Sequence, residues 1–268
     1  FLYALAFDRG LISPSSFIAD VPADYPGIEP ENYNRKFRGV VRADEALLES
    51  LNVPAVELAG RVGLPDVLNL FRNAGLRTLS KNSDYYGLGL VIGTGDVTLL
   101  DLTNAYATLA RGGIWMPYSI SADDRTMSRT RIISEESAFL VTRILQNPER
   151  FGRPQDFIRP GTSFAWKTGT SSGHRDAWTV GYNSEYAVGV WMGNFDGRSS
   201  EKIVGVECAA PVAANIFDLL RCPVSPAVRP PGISSRRVCA RSGAIPGPHC
   251  GRTMTELYIP GVSPSAPC

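Results

Sequence analysis

SFAWKTGTSSGHRDAWTVGYNSEYAVGVWMGN, residues 163–194, decides the fold. Apolar and polar side chains alternate through SFAWKTGT, DAWTVGYN and EYAVGVWMGN, the period of a pleated strand, so three strands are expected, the last two joined by a tight turn at Asn183 and Ser184. In the first strand, alternation sends Phe164, Trp166 and Thr168 to one face and Lys167 and Gly169 to the other. The aromatics claim the core, which turns Lys167 toward a cleft or solvent. A lysine that guards a sheet edge against aggregation is the plainer reading of this segment alone. A glycine inside a strand also marks a place where another backbone can approach, so an extended peptide ending in a carboxylate is the sharper reading.

Upstream the period is helical. RADEALLES, NVPAVELAGRVG, PDVLNLFRNAG, VTLLDLTNAYATLARGG and SEESAFLVTRILQN read as helices, the last with Ser134 as N-cap, and VAANIFDLL (212–220) closes the set. FLYALAF at the start reads as the end of a helix. Residues 11–36 read as a loop with few apolar anchors, and from Cys222 the Pro, Gly, Ser and Arg content rises, which places a domain boundary near residue 221. Helices, then an antiparallel sheet, then a helix give an α+β chain with a helical lobe beside the sheet.

The chain has 268 residues and a formal net charge of +1, enough for a large core and without the basic footprint of a nucleic-acid partner. Its five cysteines (Cys208, Cys222, Cys239, Cys250, Cys268) contain no CxxC pair, which argues against a zinc ribbon or a thioredoxin-type site. A Cys239–Cys250 disulfide and isolated thiols both remain open. GLGLVIGTG lacks the GK[ST] ending of a phosphate loop, and Tyr85 and Tyr86 just before it are candidates to line a cleft. His174 reads as a solvated loop residue, Asp176 as a group that orders the turn after the strand, and Trp166, Trp178 and Trp191 as core aromatics of the sheet.

In ALLESLNVPAV, residues 46–56, Ser50 and Asn52 are two apart and cannot share one face of a continuous helix. Pro54 disfavours helical geometry at Val53 and suits a helix start, so residues 50–53 should connect two helices and let both polar groups enter one cleft. Plain capping is the blander reading of Ser50 and Asn52.

SLN (50–52) and KTGT (167–170) together are far more specific than either alone. With them the chain resembles the transpeptidase domain of class A penicillin-binding proteins, a penicillin-binding/β-lactamase-like fold with an antiparallel sheet and flanking helices. The resemblance covers residues 1 to about 221, supported by LTNAYATLARGG, DAWTVGYNSEYAVGVWMGN and VAANIFDLL. The tail, 222–268, with VCARSGAIPGPHC and ELYIPG, resembles the linker or start of an extra C-terminal domain in the penicillin-binding protein 1C subgroup. The family's SxxK element is expected just upstream of Phe1, since SPSS and SSRR do not supply it.

The resemblance implies serine acyl transfer from D-Ala-D-Ala stem peptides, cross-linking of peptidoglycan and inhibition by β-lactams, within a membrane-anchored bifunctional glycosyltransferase and transpeptidase acting at the periplasmic face. It implies no metal and no cofactor. Ser50 would relay protons, Asn52 would bind the substrate amide, and Lys167 would supply positive potential. Thr168 and Gly169 would shape the strand, and Thr170 would serve the carboxylate and the oxyanion hole. A non-catalytic stem-peptide or partner-binding module, and a DD-carboxypeptidase or β-lactamase, are the alternatives. Without the upstream serine, the chain by itself is expected not to acylate.

Overall fold

The computed structural model describes residues 1–121, 128–147, 163–199, 204–221 and 227–268. A three-stranded antiparallel sheet forms from β5 (Ala165–Thr170), β6 (Asp176–Tyr182) and β7 (Ala187–Gly193), with β6 in the middle. Lys167 pairs with Val180 and Gly169 with Trp178. The turn between β6 and β7 is closed by Asn183, whose N–H donates to Tyr186 O at 2.9 Å and whose Oδ1 accepts from the Glu185 and Tyr186 amides.

Both faces of this sheet are covered. On one, Phe164 stacks on Phe217 of α8 (Ala210–Leu219) with ring centroids 4.3 Å apart, and Trp166 joins the same buried cluster. On the other, α6 (Leu99–Ala110) and α7 (Glu135–Leu145) pack through Tyr106 and Thr142, the latter bonded to the Tyr182 hydroxyl at 3.0 Å. Burying each such aromatic contributes about 1.5–3 kcal/mol, so two-sided coverage fixes the register of β5. As the sequence implied, Ser134 caps α7, accepting from Ser137 N–H at 3.0 Å. The same serine's N–H donates to Asp8 at the end of α1 (Leu2–Asp8) at 3.1 Å. Leu2, Tyr3, Ala4, Ala6 and Phe7 are all buried, which makes α1 a central helix between α3 (Asn52–Val62) and α7.

The remaining helical lobe holds α2 (Ala43–Leu48), α4 (Leu64–Asn73), α5 (Ser83–Tyr86) and a 3₁₀ turn at Leu88–Ile92. Short strands β3 (Ile114–Trp115) and β4 (Thr130–Arg131) pair beside it. One feature departs from the sequence reading. The loop expected over residues 11–36 contains β1 (Phe17–Asp20), which pairs with β2 (Gly39–Arg42) and buries Ile18 and Asp20. Over its described part the tail, expected as a linker or the start of a C-terminal domain, is folded. It forms a hairpin of β8 (Ser234–Cys239) and β9 (Thr253–Tyr258).

That hairpin docks onto the first unit through Glu256. Its buried carboxylate accepts from the Ser15 N–H at 3.2 Å and from the Ser15 hydroxyl, and pairs with Arg236 at 2.6 Å. Beside it a Cβ on Gly243 would stand 2.1 Å from Ser15 O, so only glycine allows this approach. The ion pair with Arg236 joins the two strands of the hairpin and holds the carboxylate in place, and the Ser15 bonds to that carboxylate tie the hairpin to the rest of the chain.

Candidate active site

Ser50 owes its position to the way α2 ends. Leu51 N–H donates to Ala46 O at 3.0 Å and Ser50 N–H to Leu47 O at 3.2 Å, the paired bonds of a Schellman motif. The motif demands a left-handed residue after the C-cap, and Ser50 takes it with φ 59°. Glycine is the usual occupant; a side chain there costs about 1–2 kcal/mol. The strained turn aims the Ser50 hydroxyl away from both helices and at the sheet.

On the sheet side, β5 is an edge strand, and among the described residues no strand pairs with its other edge. Phe164 and Trp166 are anchored in the α8 cluster, so Lys167 leaves from the opposite face. The half-buried Nζ donates to Ser50 Oγ and to Thr168 O, the latter at 2.8 Å. The plain edge-guard reading of Lys167 therefore gives way to a specific bond between residues 117 positions apart.

Thr170 is fixed from behind. Its Oγ1 accepts from the Gly205 N–H at 3.0 Å, in a π-helical turn, Gly205–Ala209, leading into α8. A Cβ on Gly205 would lie 2.5 Å from Gly169 O and 2.9 Å from Trp178 O, so the turn rests directly on the strand backbone. Gly169 itself differs: a Cβ there meets only Trp178 Cβ at 3.6 Å, ordinary contact. Packing within the chain does not require glycine at 169.

Asn52 opens α3, and its Nδ2 donates to Glu31 O at 2.8 Å. Its neighbour in this network, Asn32, was invisible to sequence reasoning. Asn32 is buried; its Oδ1 accepts from the Asn52 and Val53 amides at 3.0 and 3.3 Å, capping α3 from a distance. Its Nδ2 donates to Asp20 Oδ1 at 2.7 Å and Lys36 O at 2.8 Å. Arg38 closes the loop with an ion pair to Glu49, immediately before Ser50. The polar segment 21–38 is thus the brace of the SLN connector.

The start of the chain lies in the same place. In a chain that starts at Phe1 with a free amine, burial, and secondarily the charge of Lys167, lowers that α-amino group from its ordinary 8.0 to about 6. The Phe1 ring packs edge-on to Phe71 and Tyr106.

The other candidates fall out as follows. His174 has φ 54° in the β5–β6 turn and meets the exposed Tyr33 ring edge-on at 6.2 Å. Asp176 does order that turn: its N–H donates to Ser171 Oγ at 2.9 Å, and its Oδ1 accepts from Trp191 Nε1 at 2.8 Å. Trp166 is buried as expected, whereas Trp178 and Trp191 are only half-buried and meet each other at 6.5 Å. Tyr85 is 70% exposed and stands edge-on to Tyr86.

The family profile described as Penicillin binding protein transpeptidase domain matches residues 1–218, and that of Penicillin-binding protein 1A, C-terminal domain matches residues 229–268. The chain therefore belongs to the penicillin-binding transpeptidase family, a class of acyltransferases of cell-wall synthesis, and to its class A branch. It is 32% identical to Penicillin-binding protein 1C of Escherichia coli over 98% of its own length and 35% of that protein's, and 26% identical to Penicillin-binding protein 1A/1B of Bacillus subtilis over 87% and 29%. It spans about a third of these curated relatives. Among solved structures, Penicillin-Binding Protein 1A from Haemophilus influenzae superposes with a TM-score of 0.80 at 21% identity over 99% of this chain and 48% of that one. PonA1 from Mycobacterium tuberculosis gives 0.72 at 25% identity over 85% and 69%. These neighbours carry the penicillin-binding/β-lactamase-like fold. Among the described residues no helix is long and apolar enough to cross a membrane.

Proposed function

We propose that this chain forms the substrate-holding wall of a serine DD-transpeptidase, which transfers the acyl group of a D-Ala-D-Ala stem peptide to an amine on a neighbouring strand. The observation that carries the reading is the Lys167 Nζ donation to Ser50 Oγ, which joins the KTGT strand to the SLN connector. An ammonium donating to a hydroxyl oxygen makes that hydroxyl a better proton donor, the property needed to deliver a proton to a leaving amine. The Thr170 hydroxyl accepts from Gly205 N–H, which leaves its own proton for a carboxylate. The open edge of β5 and the bare backbone at Gly169 suit an extended peptide laid alongside the strand.

The nucleophilic serine and its lysine come from the SxxK segment that leads into α1. The start of α1 is buried close to Lys167, so chain entering α1 arrives beside the Ser50–Lys167 pair. A relative of the fold, penicillin-binding protein A from M. tuberculosis, 25% identical with a TM-score of 0.64, was solved as an imipenem acyl-enzyme complex. β-Lactams, which acylate the same serine, are then inhibitors of the parent protein. Its site of action is the periplasmic face of the inner membrane, on a parent that also carries a membrane anchor and a glycosyltransferase.

A fluorescent penicillin tests this. The chain beginning at Phe1 stays unlabelled, and the chain extended upstream through its native SxxK becomes covalently labelled. Labelling of the short chain refutes the upstream placement of the nucleophile, whereas failure of the folded extended chain to label refutes the transpeptidase assignment and favours a non-catalytic binding module.

A further inference from the structure

We propose that Cys239, Cys250 and Cys268 form a thiolate site for a zinc-type divalent cation. Their sulfur atoms all lie within 4.8 Å of one another, although the residues come from the end of β8, the loop before β9 and the last position of the chain. A tetrahedral zinc with bonds of about 2.3 Å holds its sulfur ligands about 3.8 Å apart, so small side-chain rotations complete the site. None of the three thiols is joined in a disulfide. A disulfide would join two sulfurs and leave the third thiol alone; a metal uses all three. Thiolates select a borderline-soft ion over magnesium or calcium. The fourth tetrahedral position falls to a donor beyond these three.

Backbone contacts bring the ligands together. Cys239 N–H donates to Ala244 O at 2.8 Å and Gly243 N–H returns to Cys239 O at 2.8 Å, a tight turn that folds the chain back over the first sulfur. Cys268 N–H donates to Ile245 O at 2.8 Å, and Ile245 N–H to Ala266 O at 3.0 Å, so the final segment lies against that turn. Donors also face the sulfurs: the Arg241 backbone N–H reaches Cys239, and Ser242 Oγ donates to Cys268 Sγ at 3.2 Å. Such outer contacts orient and stabilise metal-bound thiolates. The Cys250 thiol donates to Arg252 O at 3.4 Å, a weak bond that a metal replaces.

The cysteine end of the hairpin has little packing of its own. Ile233 and Ile259, at the other end, are buried in the main core of the chain, whereas over residues 234–258 the buried hydrophobic side chains are Val238 and Cys239. A two-stranded hairpin is marginal alone, and thin-cored segments hold together through disulfides or metals. Cys239 is buried, Cys250 half-buried and Cys268 exposed, so an ion reaches the site from the Cys268 side.

The test uses the full chain purified without reductant or chelator, equilibrated with one equivalent of zinc and freed of excess. Native mass spectrometry and metal analysis are expected to find one zinc per chain, with the three thiols slow to react with a thiol reagent until a chelator is added. Cobalt in place of zinc is expected to give the thiolate charge-transfer and strong visible bands of a tetrahedral site. Cys239→Ser, Cys250→Ser and Cys268→Ser each lose stoichiometric metal, and Cys208→Ser keeps it. Ser242→Ala, which spares every ligand, lowers affinity by up to about 10- to 100-fold, the usual effect of an outer-shell partner. No zinc above the level of the triple serine variant, or a disulfide between any two of the three cysteines, overturns the proposal. The wild-type cobalt spectrum decides the matter even where a serine variant misfolds.

Discussion

The strained turn at Ser50 makes a prediction whose sign is unusual. Ordinarily Gly in place of Ala destabilises a folded chain by about 0.5–1 kcal/mol, because glycine loses more backbone freedom on folding. At residue 50 the order reverses. Ser50→Ala and Ser50→Gly both remove the hydroxyl that accepts from Lys167, so that loss cancels in the comparison. What remains is the backbone: φ 59° costs alanine about 1–2 kcal/mol and glycine nothing, against an unfolded-state advantage for alanine of about 0.4–1 kcal/mol. Ser50→Gly should be the more stable of the two by roughly 0.5–1 kcal/mol. Urea unfolding reads this as a higher midpoint at unchanged slope, and thermal unfolding as a melting temperature higher by about 1–4 °C for a chain of this size. In the extended, acylating protein both variants are crippled alike. If Ser50→Ala proves as stable as Ser50→Gly, the Schellman geometry is wrong and the serine is not held in position by strain.

Further predictions concern the brace, the strand and the chain start. Asn32→Ala orphans the Asn52 and Val53 amides and Asp20 Oδ1, while Asp20 Oδ2 keeps the Arg38 N–H, so it should cost at least about 2 kcal/mol in chemical unfolding; a loss under half of that contradicts the brace. Gly205→Ala forces a methyl onto the Gly169 carbonyl and should cost about 1–3 kcal/mol, whereas Gly169→Ala should leave the unfolding midpoint almost unchanged while slowing acylation in the extended chain; equal stability losses in the two variants refute the distinction. A chain that begins at Phe1 with a free amine should gain stability as the pH rises from about 6 to about 8. The native amine titrates near 6 and the unfolded one near 8, so the unfolded state binds more protons between these values, and the gain is up to about 2–3 kcal/mol. A flat profile across that window places the amine in water and away from Lys167.

Several parts of the site were legible because their signals are local. Strand alternation in FAWKTGT set Lys167 opposite Phe164 and Trp166, and Pro54 marked the start of the helix that follows Ser50. Two-residue arithmetic placed Ser50 and Asn52 on a connector over residues 50–53; the structure keeps Ser50 there, against Lys167, but corrects the rest, since Asn52 and Val53 already belong to α3 and the Asn52 side chain bonds Glu31 O. Long-range polar bonds were not legible. Asn32 lies in a polar stretch with no period, and its value comes from amides twenty residues later. β1 and β2 are four residues each, too short for alternation to stand out beside the prolines and charges between them. The β8–β9 hairpin was hidden for a different reason: SSRRVC and TMTELY carry few large apolar residues, and Glu256, an inward-facing carboxylate, breaks the expected pattern. Trp178 and Trp191 were expected in the core because tryptophan is usually buried. Here they sit half-buried near the end of the sheet where Asp176 holds Trp191, a placement that depends on strand length and not on residue type.

The most direct test of the site is the acylation rate of the extended chain by a β-lactam, compared between wild type and Lys167→Ala. Lys167 is the group that joins the two motifs, and loss of one preorganised electrostatic contact of this kind typically lowers a rate about 100- to 1000-fold. The account predicts a drop of that size with the variant still folded. An acylation rate within about threefold of wild type would contradict it and return Lys167 to the role of a charge on a sheet edge.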